Sequence, residues 1–345
     1  MDRMEAIKAP DWSIVGILGA ARGARGDAEG AIGTEHLLAG ITTTKGPARE
    51  ALAAEGATRT VLLTLLRDRM HRDGAWSADD DAEDSVASED LLGDDGDQRI
   101  RFTGAAARAL TAAMRHAERE DTAKFGAGQL LRGLLAEDNR AVELLGDCGI
   151  SPHAVSARLD GGSGSGEDDL DPLLHATRDV LLGRSHYRLK PFWMRWLIRS
   201  SGVNWASLPA GWVGRETYEQ ARRLGDGTVG TEHVLLAILA THEVALRCPH
   251  LRGESTPGPD TRYAAGERLA RLGIDYASVH RALTAGDRVH LVPDLRPVEQ
   301  YVGESTVPNL ERTTDPGTGP LVEALLSEDT RARQLIEALT GPSGD

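Results

Sequence analysis

Two short strings carry the side chains best suited to chemistry. Gly33-Thr34-Glu35-His36 and Gly230-Thr231-Glu232-His233 each set a hydroxyl, a carboxylate and an imidazole in consecutive positions, and each opens an apolar stripe. Two readings stay open for them. Thr34 and Thr231 suit N-caps, because a hydroxyl there accepts from a free amide of the first helical turn, and the Glu that follows complements the helix dipole. Alternatively, Glu35 and Glu232 receive a ligand. His36 and His233 are expected to be packed, hydrogen-bonded residues of a first turn, without a catalytic role. His242, Cys248 and His250 form a loose group, but zinc asks for four ligands at compatible spacing and no fourth is evident. Nothing fixes a Ser-His-Asp or Cys-His set in space. A phosphate loop of the form G-x-x-x-x-G-K-[S/T] is missing too: Lys45 precedes Gly46-Pro47 and Lys124 precedes Phe125-Gly126. The expectation is a protein with no enzyme activity, no metal and no cofactor.

The strings belong to a repeat. Weaker copies start at Gly126-Ala127-Gly128-Gln129 and Gly317-Thr318-Gly319-Pro320. Each is followed by a second helix-like segment that closes at glycine. The opening-to-closing separation is 23 residues for Gly33–Gly56 and Gly126–Gly149, 24 for Gly317–Gly341, and 43 for Gly230–Gly273, where an insertion lies around Pro249 to Pro259. Leu235, Ile238 and Leu239 are spaced as one buried helical face, as are Leu131, Leu134 and Leu135. Gly56, Gly149 and Gly273 fit positions just past a helix, where glycine adopts the left-handed conformation at little cost. A further helix is expected before each hairpin, best seen at Ala105 to Glu118 and at Arg215 to Arg223; the fourth copy has no credible one. The fold class that follows is all-α.

Composition adds limits. The chain has 345 residues, 40% of them hydrophobic, and a net charge of −14. Ser77 to Gln98 holds ten acids and no Lys or Arg, so −10 of that charge sits there and only −4 elsewhere. A nucleic-acid binder would show a basic domain, and this chain does not. No apolar run of membrane-spanning length occurs. Two cysteines make no disulfide framework, and Met1 to Asp11 lacks an apolar leader stretch, so the cytoplasm is the expected location. The organisation expected is a first repeat at 1–72, an acidic solvated linker at 73–98, a second repeat at 99–159, a Gly/Ser linker at 160–171, and a divergent module with the third and fourth repeats at 172–345. Arg188 to Arg199 is basic and rich in Trp. It reads as a core helix, a partner surface or, least of all, a membrane-surface segment.

At the Gly-Thr-Glu-His strings the chain resembles the Clp N-terminal repeat, the helical module at the front of ClpA-, ClpB- and ClpC-type unfoldases. Arg101-Phe102-Thr103 through Leu159 looks like one ClpC-type repeat, with its Phe-Thr opening, Ala-rich first helix, Leu-rich second helix and closing glycine. The motor modules of such unfoldases are missing from the sequence. The resemblance implies tandem repeats forming two modules. It also implies partners: a Clp unfoldase, an adaptor or a substrate protein, in some members one marked by phosphorylated arginine. The pocket of the family pairs a threonine at the first helix start with the Glu of Gly-Thr-Glu-His, about 25 residues later. Here Thr103 has Gly128 at that distance, Glu35 has Pro10, and only Ser207 and Glu232 keep both groups. Ser207 and Glu232 with Thr231 are therefore the leading ligand residues, and Glu35, Thr34, Thr103 and Phe102 come second. Phe102 enters because cyclic-peptide antibiotics bind the ClpC-type module partly on that phenylalanine, so a motorless copy would act as a decoy for them. The function expected is a non-enzymatic binding protein of the Clp system; the alternative is a structural scaffold whose repeats have lost their pockets.

Overall fold

The computed structural model describes residues 8–26, 30–70, 76–80, 83–97, 99–162, 170–187, 204–252, 262–285, 291–302 and 315–341. These are mostly helical, as the sequence predicts, with four two-residue strands. The chain divides into two compact units, Met1–Asp168 with Leu182–Arg184, and Asp169–Leu181 with Ser185–Asp345. Arg188 to Arg199 and residues 163–169 of the Gly/Ser run lie outside the described residues.

In the first unit, α1 (Trp12–Arg25) packs on α2 (Thr34–Ile41), followed by α3 (Pro47–Glu55) and α4 (Arg59–Met70). After a short α5 (Ser88–Leu92), α6 (Gly104–Arg119) packs on α7 (Ala127–Leu135), followed by α8 (Arg140–Asp147) and α9 (Pro152–Leu159). The α1–α2 and α6–α7 pairs approach closely for one reason. A Cβ on Gly40 would stand 2.6 Å from the carbonyl oxygen of Ile17, and one on Gly133 would strike that of Ala109. Both glycines lie seven residues after the Gly that opens their repeat. The closing glycines take positive φ, 103° at Gly56 and 70° at Gly149, which ends each hairpin where the sequence pattern places it.

The two repeats exchange their edges. β1 (Ala9–Pro10) runs parallel to β4 (Lys124–Phe125), and Ile32 bridges in parallel to Phe102 of β3 (Arg101–Phe102). The opening segment of each repeat is therefore tied to the loop before the second helix of the other. This arrangement sets the site, because it puts Thr103 beside the Gly33–His36 string, not beside Gly128.

The segment expected to be a solvated acidic linker is largely built into this unit. β2 (Val86–Ala87) pairs antiparallel with β3, Leu91 and Leu92 of α5 are buried, and Asp80 is fully buried. Few apolar residues punctuate the acids, but Leu91 and Leu92 find a place in the core, and burying a Leu contributes about 1.5–3 kcal/mol.

In the second unit, α10 (His175–Leu181) and α11 (Pro209–Leu224) pack on α12 (Thr231–Arg247). Then come α13 (Ala264–Arg271), α14 (Tyr276–Thr284), α15 (Glu299–Val302), α16 (Gly319–Ser327) and α17 (Arg331–Thr340). The helix expected from Arg215 begins six residues earlier, with Pro209 at its first position, where a missing N–H is harmless. α12 has 17 residues against eight in α2, which takes up the start of the insertion. Among the described residues, the fourth copy has the four-residue α15 ahead of α16. Ala237 takes the place of Gly40 and Gly133 and is fully buried. The Glu216 carboxylate, also fully buried, accepts from Thr177 (2.7 Å), Gln220 (2.8 Å), Arg223 (2.6 Å) and the Tyr187 hydroxyl. A buried carboxylate so fully satisfied holds elements together and offers nothing to a ligand.

Candidate functional site

The Gly-Thr-Glu-His strings start helices, but the glycine is the N-cap and Thr occupies the first helical position. The expected threonine cap is replaced by a histidine cap. Gly33 N–H donates to His36 Nδ1 at 3.1 Å, and Gly230 N–H donates to His233 Nδ1 at 3.0 Å. His233 Nε2 lies 3.0 Å from the Asp226 carboxylate, so its ring is used at both ends. Burial pulls His36 down to about 4, which keeps it a neutral acceptor. Glycine at the cap leaves room for the carboxylates that lie over it. A Cβ on Gly33 would collide with the carboxylates of Glu35 and Asp80, and one on Gly230 with Glu232 Oε2 and Arg331.

Relieved of capping, each threonine hydroxyl serves two partners. In the second unit Thr231 Oγ1 donates to Asp294 Oδ1 at 2.7 Å and accepts from Ala332 N–H at 3.0 Å. In the first unit Thr34 Oγ1 donates to Asp80 Oδ1 at 3.3 Å and accepts from Ala141 N–H at 3.2 Å. The neighbouring glutamates are almost fully buried, each side chain 4% exposed, and each faces an arginine from the other hairpin. Arg331 Nη1 is 2.5 Å from Glu232 Oε1; Arg140 Nη1 is 3.8 Å from Glu35 Oε1 and 3.9 Å from Asp80 Oδ2. Oε2 of both glutamates and Oδ2 of Asp80 lack a hydrogen-bond partner. Burial raises Glu35 and Glu232 above the usual carboxylate range. Burial, reinforced by the Glu35 charge, lifts Asp80 to about 6.

The same constellation thus occurs once in each unit: a Thr-Glu pair at a helix start, an Arg-Ala pair at a second helix start, and an aspartate between them. The Arg-Ala pair opens α8 after Asn139 and α17 after Thr330. Asn139 reaches back to the Leu134 carbonyl at 2.8 Å, and Thr330 to the Leu325 carbonyl at 2.7 Å.

Thr103 caps α6 by accepting from Ala106 N–H (3.2 Å), and its side chain also reaches the Asp80 carboxylate. The structure therefore brings Thr103 together with Thr34 and Glu35 through Asp80, a pairing across repeats. Within-repeat counting of 25 residues cannot find it. Ser207 turns its hydroxyl back to the Asn204 carbonyl at 2.8 Å, while Glu232 is held by Arg331; the expected Ser207–Glu232 pair has separate partners. The first amides of α11, at Ala210 and Gly211, are taken by the Asp315 carboxylate, each at 3.2 Å. Phe102 has no exposed surface, so a ligand would meet its ring only after the core around it opened. His242 is buried against Tyr263, and burial pulls it down to about 4.

Sequence reasoning missed Asp80, Asp294, Arg140 and Arg331. A signal for the arginines existed. Glu137-Asp138-Asn139-Arg140-Ala141 recurs as Glu328-Asp329-Thr330-Arg331-Ala332, and each Arg lies 14 residues after the Gly that opens its copy. The aspartates carry no such mark. Asp80 is one of ten acids in its run, and Asp294 sits between Pro293 and Leu295 in a different setting.

No family model and no curated protein matches the chain.

Proposed function

We propose that this is a non-catalytic binding protein of Clp N-terminal type, which receives a side chain or a peptide from a partner protein at its Thr-Glu strings. The observation that supports this most is the repetition of one polar constellation in both units. Each copy keeps a nearly buried glutamate with one oxygen unpartnered. A buried carboxylate oxygen without a donor is costly in a merely structural role, and two copies at equivalent positions argue for a use. Residues that only hold a fold together end like Glu216, with every oxygen satisfied. The chemistry available is recognition: carboxylates for a guanidinium or an amide, and, in the second unit, the helix-start amides, now held by Asp294, for an anion.

One observation favours the second reading, a scaffold with closed pockets. Arg331 already occupies Glu232 Oε1 at 2.5 Å, where a ligand guanidinium would go. Calorimetric titration of the whole chain with free phosphoarginine, and separately with a cyclic peptide that binds ClpC, decides between the two. The binding reading expects heat with at least one ligand, reduced about tenfold or more in Glu232→Ala or Glu35→Ala, in line with the loss of one charge-assisted pair. No heat with either ligand leaves the scaffold. ATP turnover by the purified chain would overturn both.

A further inference from the structure

The aspartate in the second unit is held like a ligand. Asp294 Oδ2 accepts from Thr231 N–H at 2.9 Å. Its Oδ1 accepts from the Thr231 hydroxyl at 2.7 Å and from Arg331 N–H at 2.9 Å. Two helix N-termini, of α12 with 17 residues and α17 with 10, meet at one carboxylate. Beside them Glu232 Oε2, on a side chain 4% exposed, points over Gly230 with no partner. The seat therefore has three donors for an anion and one vacant acceptor for an N–H.

The stretch around Asp294 is lightly attached, although Val298, Tyr301 and Val302 beyond it are buried. Val292 and Leu295 on either side of it are 52% and 77% exposed. Apart from Asp294, residues 291–297 are held by Val292 N–H to Gln334 Oε1 at 2.8 Å and by Arg296, ahead of the buried Val298. Arg296 pairs with Glu328 at 2.6 Å and lies 4.6 Å from the centre of the Tyr301 ring. Exposed polar links of this kind contribute little each. In the first unit a strap from Trp76 to Asp80 delivers the equivalent aspartate. Its Trp76 ring lies 4.5 Å from the Arg69 guanidinium and 5.5 Å from that of Arg140, and its Ser77 and Ala78 amides donate to Glu143 at 3.0 and 2.8 Å. Two straps of unrelated sequence each place an aspartate against the Thr hydroxyl. Asp294 also takes both helix-start amides, whereas Asp80 takes the Thr34 hydroxyl and faces the Arg140 guanidinium, so the second unit holds its carboxylate more completely.

We propose that the junction of α12 and α17 is a binding site for an extended peptide bearing an aspartate, and that Asp294 fills it in cis as a displaceable plug. The proposal rests on the proposed binding function only in taking this face as one that receives other molecules. A plug bound in cis lowers the apparent affinity for a competitor by the fraction of molecules in which the seat is open. Removing Asp294, or loosening its strap, raises that fraction.

The test titrates the full chain with a synthetic peptide covering residues 291–298, blocked at both ends, followed by fluorescence anisotropy of an attached dye. Asp294→Ala is expected to bind the peptide about tenfold or more tightly than the parent chain. A peptide with asparagine in place of its aspartate should not bind. Arg296→Ala, which frees the strap and leaves the seat untouched, should move the same way by a smaller factor. It serves if Asp294→Ala fails to fold by circular dichroism. Adding Thr231→Val to either variant should remove the gain. Equal binding by the parent chain and the folded variants, or a gain that survives Thr231→Val, overturns the plug. Peptide binding by Asp294→Ala with silence toward phosphoarginine would defeat phosphoarginine as the ligand and leave the plug standing; the converse would defeat the plug alone.

Discussion

Asp80 is the side chain under most tension in the first unit. It is fully buried, shares one arginine with Glu35, and its Oδ2 meets that arginine at 3.9 Å without a hydrogen bond. Its ordinary value of 3.8 rises to about 6 in the fold, from burial first and the Glu35 charge second. A carboxyl whose value is raised on folding binds its proton more tightly in the native state. Its protonation therefore stabilises the fold fully below about pH 4, and that stabilisation is lost as pH rises through about 6. A rise of this size corresponds to about 3 kcal/mol at most. Asp80→Asn keeps an acceptor for Thr34 and supplies an N–H toward Glu35. The variant is expected to unfold at higher urea than the parent at pH 7, with the gap narrowing as pH falls through about 6 and closing only below about pH 4. A gap that stays constant across that range, measured by urea titration at several pH values, would show that Asp80 does not ionise there. Glu35 is raised in the same sense and interacts with Asp80, so the change in the gap with pH reports the two carboxyls as a coupled pair.

Helix pairs carry the next level, and their tightest contacts lie where a glycine faces a carbonyl. Gly133 on α7 faces the Ala109 carbonyl of α6, and the clash that a methyl would make is with backbone, which cannot rotate away. Gly133→Ala is therefore expected to destabilise the first unit by about 1–3 kcal/mol, as overpacking does, read as a lower denaturation midpoint with unchanged slope. Gly128→Ala, on the same helix with open space around it, is the control and should be neutral or stabilising. These pairs were legible in the sequence because period and punctuation agree: apolar spacing of 3 and 4, opening glycine, closing glycine. The site was legible only by half. Thr34, Glu35, Thr231 and Glu232 repeat as a string, whereas their partners come from another repeat and from straps outside any repeat. Counting along one repeat links Thr103 to Gly128, while the edge exchange at Ile32 and Phe102 delivers it to Glu35. The histidine cap was hidden for a different reason. Thr before Glu has the composition of a cap, but the Thr34 hydroxyl is taken by Asp80 and Ala141, partners remote in sequence, and the cap falls on Gly33 with its N–H on His36.

At the scale of the whole chain, charge and core meet in the acidic segment. It holds −10 of the −14 net charge, which suggests a solvated spacer. The structure gives it Leu91 and Leu92 in the core, the β2–β3 pairing, and the strap that seats Asp80. Replacing Ser77 to Gln98 with a Gly/Ser chain of equal length separates the two accounts. A mere spacer would leave stability unchanged or raise it, since removing ten like charges relieves repulsion. A built-in segment would lose the burial of two leucines, about 1.5–3 kcal/mol each. That loss would be offset in part by release of the strained Asp80 carboxylate. The expected outcome is a net loss, visible as a lower urea midpoint at pH 7 and in about 0.15 M salt, where surface repulsion is screened. Restoring only Val86 to Leu92 within the neutral chain should recover most of it. If the neutral replacement unfolds at the same urea concentration as the parent, the segment is a spacer after all, and Asp80 sits in the first unit without fastening it.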